Sequence, residues 1–112
     1  MNIPTCEAVK EYINLLLNGK TVTDSTNTSV NLEVATNTYY KFTQKLTSLS
    51  LILNSGLRNV TIEFSTGSSF TYDCTVNGNF KISKQFEFTT DKNYVIAINN
   101  DLIIWSEVEE YV

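Results

Sequence analysis

Residues 60–65 read Val60-Thr61-Ile62-Glu63-Phe64-Ser65, apolar and polar side chains in strict alternation. Successive side chains of an extended strand point to opposite faces. This stretch therefore aims Val60, Ile62 and Phe64 at a core and Thr61, Glu63 and Ser65 at water. The same period of two runs outward from it. Upstream, Val30, Leu32 and Val34 alternate with Asn31 and Glu33, and Leu49, Leu51 and Leu53 follow suit, with Ile52 breaking the polar face. Downstream, Phe70, Tyr72, Cys74 and Val76 alternate with Thr71, Asp73 and Thr75; Phe80 pairs with Ile82, and Phe86 with Phe88. The runs 94–98 and 102–105 lose the alternation and read as central strands covered on both faces.

Turn chemistry separates these runs. Asn54-Ser55-Gly56, Thr66-Gly67, Asn77-Gly78 and Asn99-Asn100-Asp101 recur every 8–12 residues or so, and Asn-Gly favours the type I′ hairpin. Short strands at hairpin spacing, with no helix between them, predict an antiparallel β-sandwich or barrel-like domain over 30–112. No internal repeat stands out.

The first residues differ. Thr5 is a good N-cap, Glu7 suits the positive end of a helix dipole, and Gly19 suits a left-handed stop. Cys6, Val9, Ile13 and Leu16 fall on one line, flanked by Tyr12 and Leu17, which predicts a helix over 6–18 within an N-terminal segment 1–18. Such a short helix must pack on something. It either lies against its own domain or joins copies of itself at a symmetry axis; two heptads are too few to decide. Residues 19–29 carry one apolar side chain, Val22, and read as a polar connector.

Composition removes several functions. The chain has 112 residues, enough for one domain, with 15 Thr, 13 Asn and 10 Ser but only 18% charged residues. It contains no histidine, so imidazole catalysis and histidine metal sites are absent. Two cysteines, Cys6 and Cys74, cannot complete a four-thiolate zinc site. A net charge of −4 opposes binding to a phosphate backbone, so no nucleic-acid partner is expected. No apolar run approaches the roughly 20 residues that span a bilayer, so no membrane insertion is expected either. The reading is a small acidic binding or structural module with no catalytic, cofactor or metal site.

Two stretches carry a resemblance. Ile3-Pro4-Thr5-x-x-Ala8-Val9-Lys10-Glu11-Tyr12-Ile13 is similar to the "PT-x-x-AV-x-x-Y-I/V" segment of bacteriophage head- and tail-fibre proteins. Three further blocks resemble the small β domains at the ends of phage fibres and appendages. They are Leu46-Thr47-Ser48-Leu49-x-Leu51, then Asn59-Val60-x-Ile62-x-Phe64-Ser65-Thr66-Gly67-x-x-Phe70, then Lys92-x-Tyr94-Val95-Ile96-x-Ile98 with Leu102-Ile103-Ile104-Trp105. The matches span about three-quarters of the chain. The chain departs from the pattern at Phe80, where many relatives place a Trp, so no ligand contact by that Trp carries over.

The resemblance implies a virion protein assembled in the host cytoplasm. Its expected partners are itself, as a homotrimer with Cys6, Val9, Ile13 and Leu16 facing the three-fold axis, other virion proteins, and a host surface glycan or cell-wall polymer. The expected function is adhesion without chemistry, in the distal or receptor-binding part of a head or tail fibre. A bacterial carbohydrate-binding module and a capsid decoration or assembly protein with no host ligand are the alternatives. Aromatic rings beside short polar side chains can grip sugars, which makes Tyr39, Trp105 and Tyr111 candidates for a ligand surface. Glu63, Asp73, Glu87, Glu107, Glu109 and Glu110 read as solvated, with no pair marked for glycoside hydrolysis. Cys74 reads as a buried, inert thiol.

Overall fold

The computed structural model describes residues 19–109, and within them the chain is mainly β. The expected helix over 6–18 lies outside the described residues. Seven strands run in order: β1 (Lys20–Asp24), β2 (Ser29–Glu33), β3 (Thr38–Asn54), β4 (Val60–Asn77), β5 (Lys81–Ile82), β6 (Asn93–Asn99) and β7 (Leu102–Val108).

β3 and β4 are 17 and 18 residues long, about three times the usual strand. Each turns a corner midway, where their pairing slips between Lys41 and Lys45 and again between Leu46 and Ser48. Each is thus two arms of one coil, and the arms stack in parallel on the coils beside them. Lys20 lies opposite Thr38, and Thr38 opposite Val60, in the first-arm stack. Ser29 lies opposite Ser48, and Ser48 opposite Thr71, in the second. The result is a short β-solenoid-like stack of three coils among the described residues. β6 then pairs antiparallel with the first arm of β4, and β7 antiparallel with β6.

This corrects the expected antiparallel sandwich or barrel. Alternation fixes which face a side chain occupies but not which strand lies beside it, and stacked coils alternate as hairpins do. Asn77-Gly78 makes no hairpin. Asn77 stays in the β4 arm, its side-chain amide donating to Asn54 Oδ1 at 3.0 Å, and Gly78 (φ 129°) carries the chain to β5, which pairs in parallel with β7. A side chain could not replace Gly78, because a Cβ there would lie 2.8 Å from that of Ser55. Asn100-Asp101 does close a hairpin: both residues have positive φ, 50° and 60°, and Asn99 faces Leu102, the two-residue type I′ geometry.

The stack also reveals a repeat. Gly19-Lys20-Thr21-Val22, Asn37-Thr38-Tyr39-Tyr40 and Asn59-Val60-Thr61-Ile62 occupy successive coils in register. Each opens on a left-handed residue: Gly19 (φ 74°), Asn37 (φ 54°) and Asn59 (φ 52°). The second arms repeat too, with Val30, Leu49 and Tyr72 in one row and Leu32, Leu51 and Cys74 in the next. Residues 19–29, expected as a connector, hold β1 and the first corner, so the β unit begins ahead of Val30.

The core lies between the two arm stacks. Leu46, Leu53, Ile62 and Ile96 are fully enclosed, with Leu49, Leu51, Phe64, Tyr94 and Ile98 almost so. Burial of each such side chain contributes about 1.5–3 kcal/mol. Two buried tyrosines direct their hydroxyls at corner backbone: Tyr40 accepts from Ala35 N–H at 2.9 Å and Tyr94 from Thr89 N–H at 2.8 Å. Thr66, also fully enclosed, donates to Thr89 O at 2.6 Å and accepts from Lys92 N–H at 3.0 Å. The Tyr94 and Thr66 bonds hold the 83–92 segment over the inner face of β6–β7, in place of another strand arm. The outer face of β6–β7, expected to be covered, is bare instead: Ala97, Leu102, Ile104 and Val108 are exposed, Ile104 to 52%.

Candidate functional site

Trp105 sits on the inner face of β7, opposite Ile96. The core closes beneath it with an aromatic floor. Phe86, Phe88 and Tyr94 stand 6.1, 5.1 and 6.0 Å from the indole between ring centroids. The indole N–H donates to Lys84 O at 2.7 Å, which fixes the ring edge against the 83–92 segment. The remaining ring surface opens into a cleft of about 420 Å³. Lys84, Glu87 and Thr89 line it from the segment, and Trp105, Ser106 and Glu107 from β7. The Lys84 ammonium lies 5.1 Å from the indole centroid, a cation over a π face. Glu107 meets Lys92 at 4.0 Å, with both side chains nearly half exposed. Such a pair is weakly held.

Tyr39 does not join this site. The pairing Tyr39–Thr61–Ala97–Ile104 forms one row on the outer face, whereas Tyr40–Ile62–Ile96–Trp105 forms the inner row beside it. Strand parity thus places Tyr39 and Trp105 on opposite faces of one sheet. The Tyr39 hydroxyl is spent on Glu63 Oε2. Burial, chiefly, and then the Glu63 carboxylate push its ionisation far above the usual tyrosine range. A second cleft of about 290 Å³ lies near the outer rows, between Lys41, Glu63, Ser65, Asn93 and Glu109.

Cys74 is half-buried on the second arm of β4, and burial, then the nearby Asp73 charge, raises its thiol pKa. That suppresses the thiolate, which is the reactive form. Tyr72 is 42% exposed, not packed inside, and its hydroxyl donates to Phe86 O at 2.8 Å. Cys6, Val9, Ile13, Leu16, Glu110 and Tyr111 lie outside the described residues. Among the described residues no three His, Cys, Asp or Glu side chains cluster as metal ligands.

Of the cleft residues, sequence reasoning singled out Trp105 for the ligand surface and passed over Lys84, Thr89 and Ser106. The sequence makes Glu87 and Glu107 solvated carboxylates, and both are exposed, yet they line one cleft with the indole ring. The alternation of Phe86 and Phe88 reads as a strand, and only the three-dimensional path shows a non-strand segment turning its polar positions toward Trp105. Comparison of the chain with protein-family models, curated proteins and solved structures gives no match.

Proposed function

We propose that this chain is a self-associating adhesion module that binds without catalysis, the distal or receptor-binding part of a phage head or tail fibre. One observation carries the reading: the two faces of the β6–β7 hairpin differ in character. Its inner side bears the Trp105 cleft, and its outer side exposes Leu102, Ile104 and Val108 to 41%, 52% and 39%. Exposed apolar side chains sharing one strand face suit contact with another protein. The fibre resemblance makes that contact a homotrimer, with the 1–18 segment and its Cys6, Val9, Ile13 and Leu16 line at the axis. Three weak sites on one rigid particle then act together through effective concentration. The surface, rich in hydroxyls and amides and poor in charge, suits a host glycan or cell-wall polymer.

Sedimentation equilibrium and glycan-array binding test it together. A particle of three times 12.7 kDa that retains host cell-wall glycans is the expected result. A monomer that binds glycans points instead to a carbohydrate-binding module, and a trimer that binds none to a decoration or assembly protein.

Glu87 and Glu107 in one cleft favour a second reading, a glycoside hydrolase. A general acid of that class sits in an apolar pocket, whereas both of these carboxylates are exposed and Glu107 faces Lys92. Release of reducing ends from an oligosaccharide, lost in Glu87→Gln or Glu107→Gln, would establish that reading in place of the first.

A further inference from the structure

The Trp105 cleft has two features that a neutral sugar platform does not need. A cation already rests over the indole, and two carboxylates line the same cleft. The lining carries one ammonium, Lys84, against two carboxylates, Glu87 and Glu107. Lys92 offsets Glu107 only across an exposed 4.0 Å pair. The Lys84 side chain is exposed and rides on the 83–92 segment, which forms no strand, so its ammonium can swing away while its backbone carbonyl keeps the indole N–H. The ring itself packs against Phe86, Phe88 and Tyr94 and lines the cleft.

We propose that this cleft binds an organic ammonium group carried by the ligand, with the Lys84 ammonium standing in its place over Trp105 in the free protein. An incoming cation gains the indole face and the Glu87 and Glu107 carboxylates, and its exchange with Lys84 leaves no buried charge unpaired. Trp offers a cation the most favourable face of the three aromatic side chains. Thr89, also in the lining, carries a hydroxyl toward the polar body that bears the ammonium. Two ligand sources share this chemistry, an amino sugar with a free amine and a quaternary ammonium of the choline type. The inference names the ligand class of the adhesion surface proposed above and rests on that reading of the cleft.

Trp105 is the chain's one tryptophan, so its fluorescence reports the site directly. Intact protein is titrated with glucosamine oligomers, with choline, and with N-acetylated oligomers of the same length as the uncharged control. A saturable change with an ammonium ligand, absent or at least about 3-fold weaker with the acetylated control, is expected. The stronger of the two ammonium ligands identifies the source. Lys84→Met removes the internal competitor and tightens binding about 2–5-fold, the scale of an exposed cation–π contact. Glu107→Gln weakens it about 2–5-fold, the scale of an exposed charge pair. Equal or tighter binding of the acetylated oligomer overturns the proposal, as does the absence of any saturable change in protein whose circular dichroism shows it folded. Ammonium binding by a protein that stays monomeric would keep this site and defeat the fibre reading.

Discussion

Asn59 donates its side-chain amide to Asn37 Oδ1 at 3.1 Å, and both residues hold left-handed backbone, φ 52° and 54°. The pair ties one coil to the next at the corner where each first arm begins. Gly19 takes the equivalent corner below them, where a Cβ would lie 3.0 Å from Asn37 O. Asn99 Oδ1 accepts from Asn59 N–H at 3.4 Å and extends the line to β6.

Asn tolerates the left-handed region better than other side chains, and alanine pays about 1–2 kcal/mol there. Asn59→Ala therefore loses that amount plus roughly 1 kcal/mol for the ladder bond. Asn59→Gly keeps the backbone and loses the bond alone, so it is the milder change. Urea denaturation of the two variants gives the order directly.

Ile62→Ala opens a hole in a fully enclosed position and costs about 2–5 kcal/mol. Ile104→Ala, 52% exposed on the outer face, shifts the unfolding free energy of the monomeric chain at high dilution by no more than about 0.5 kcal/mol. Both values come from chemical denaturation at high dilution.

Tyr39 resists ionisation because burial, first, and Glu63, second, oppose a phenolate. Its folded pKa is raised above the unfolded value of 10.0. The linked stability is thus fully present below pH 10.0 and is lost progressively as pH climbs above it toward the folded pKa. An alkaline titration of tyrosinate absorbance reads the delayed ionisation of Tyr39, and Tyr39→Phe removes that late step and flattens the alkaline loss of stability.

Asp24 behaves in the opposite sense. Its carboxylate accepts from the Asn27 side-chain amide at 2.8 Å and from the Asn27 and Thr26 backbone N–H groups at 3.0 Å, which lowers its pKa below 3.8. Its contribution is present above pH 3.8 and fades as pH falls through the lower folded value. NMR titration of the Asp24 carboxyl reads the shift, and Asn27→Ala moves it back toward 3.8.

The alternation in residues 60–65 did foretell an enclosed face, since Val60, Ile62 and Phe64 are all buried. The Asn100-Asp101 turn was legible as well, because two adjacent left-handed residues demand Asn, Asp or Gly. The stacking was not. The coils begin at positions 20, 38 and 60, and their corners differ in length, so the repeat has no fixed period. Its rows conserve only character, as in Val22, Tyr40 and Ile62, and common residues in a chain rich in Asn, Ser and Thr hide such a signal. The partition of Tyr39 from Trp105 follows from register, which no count of apolar residues reveals. Lys84 reached the site through the path of the 83–92 segment, and only the fold supplies that path.

Solution mass tests most directly the proposed association through the exposed hairpin face and the 1–18 segment. Sedimentation equilibrium of the intact chain at micromolar concentration should give three times 12.7 kDa, and Ile104→Glu or Ile13→Glu should reduce it to 12.7 kDa with the β spectrum intact. A mass of 12.7 kDa for the unmodified chain across that range would contradict the account.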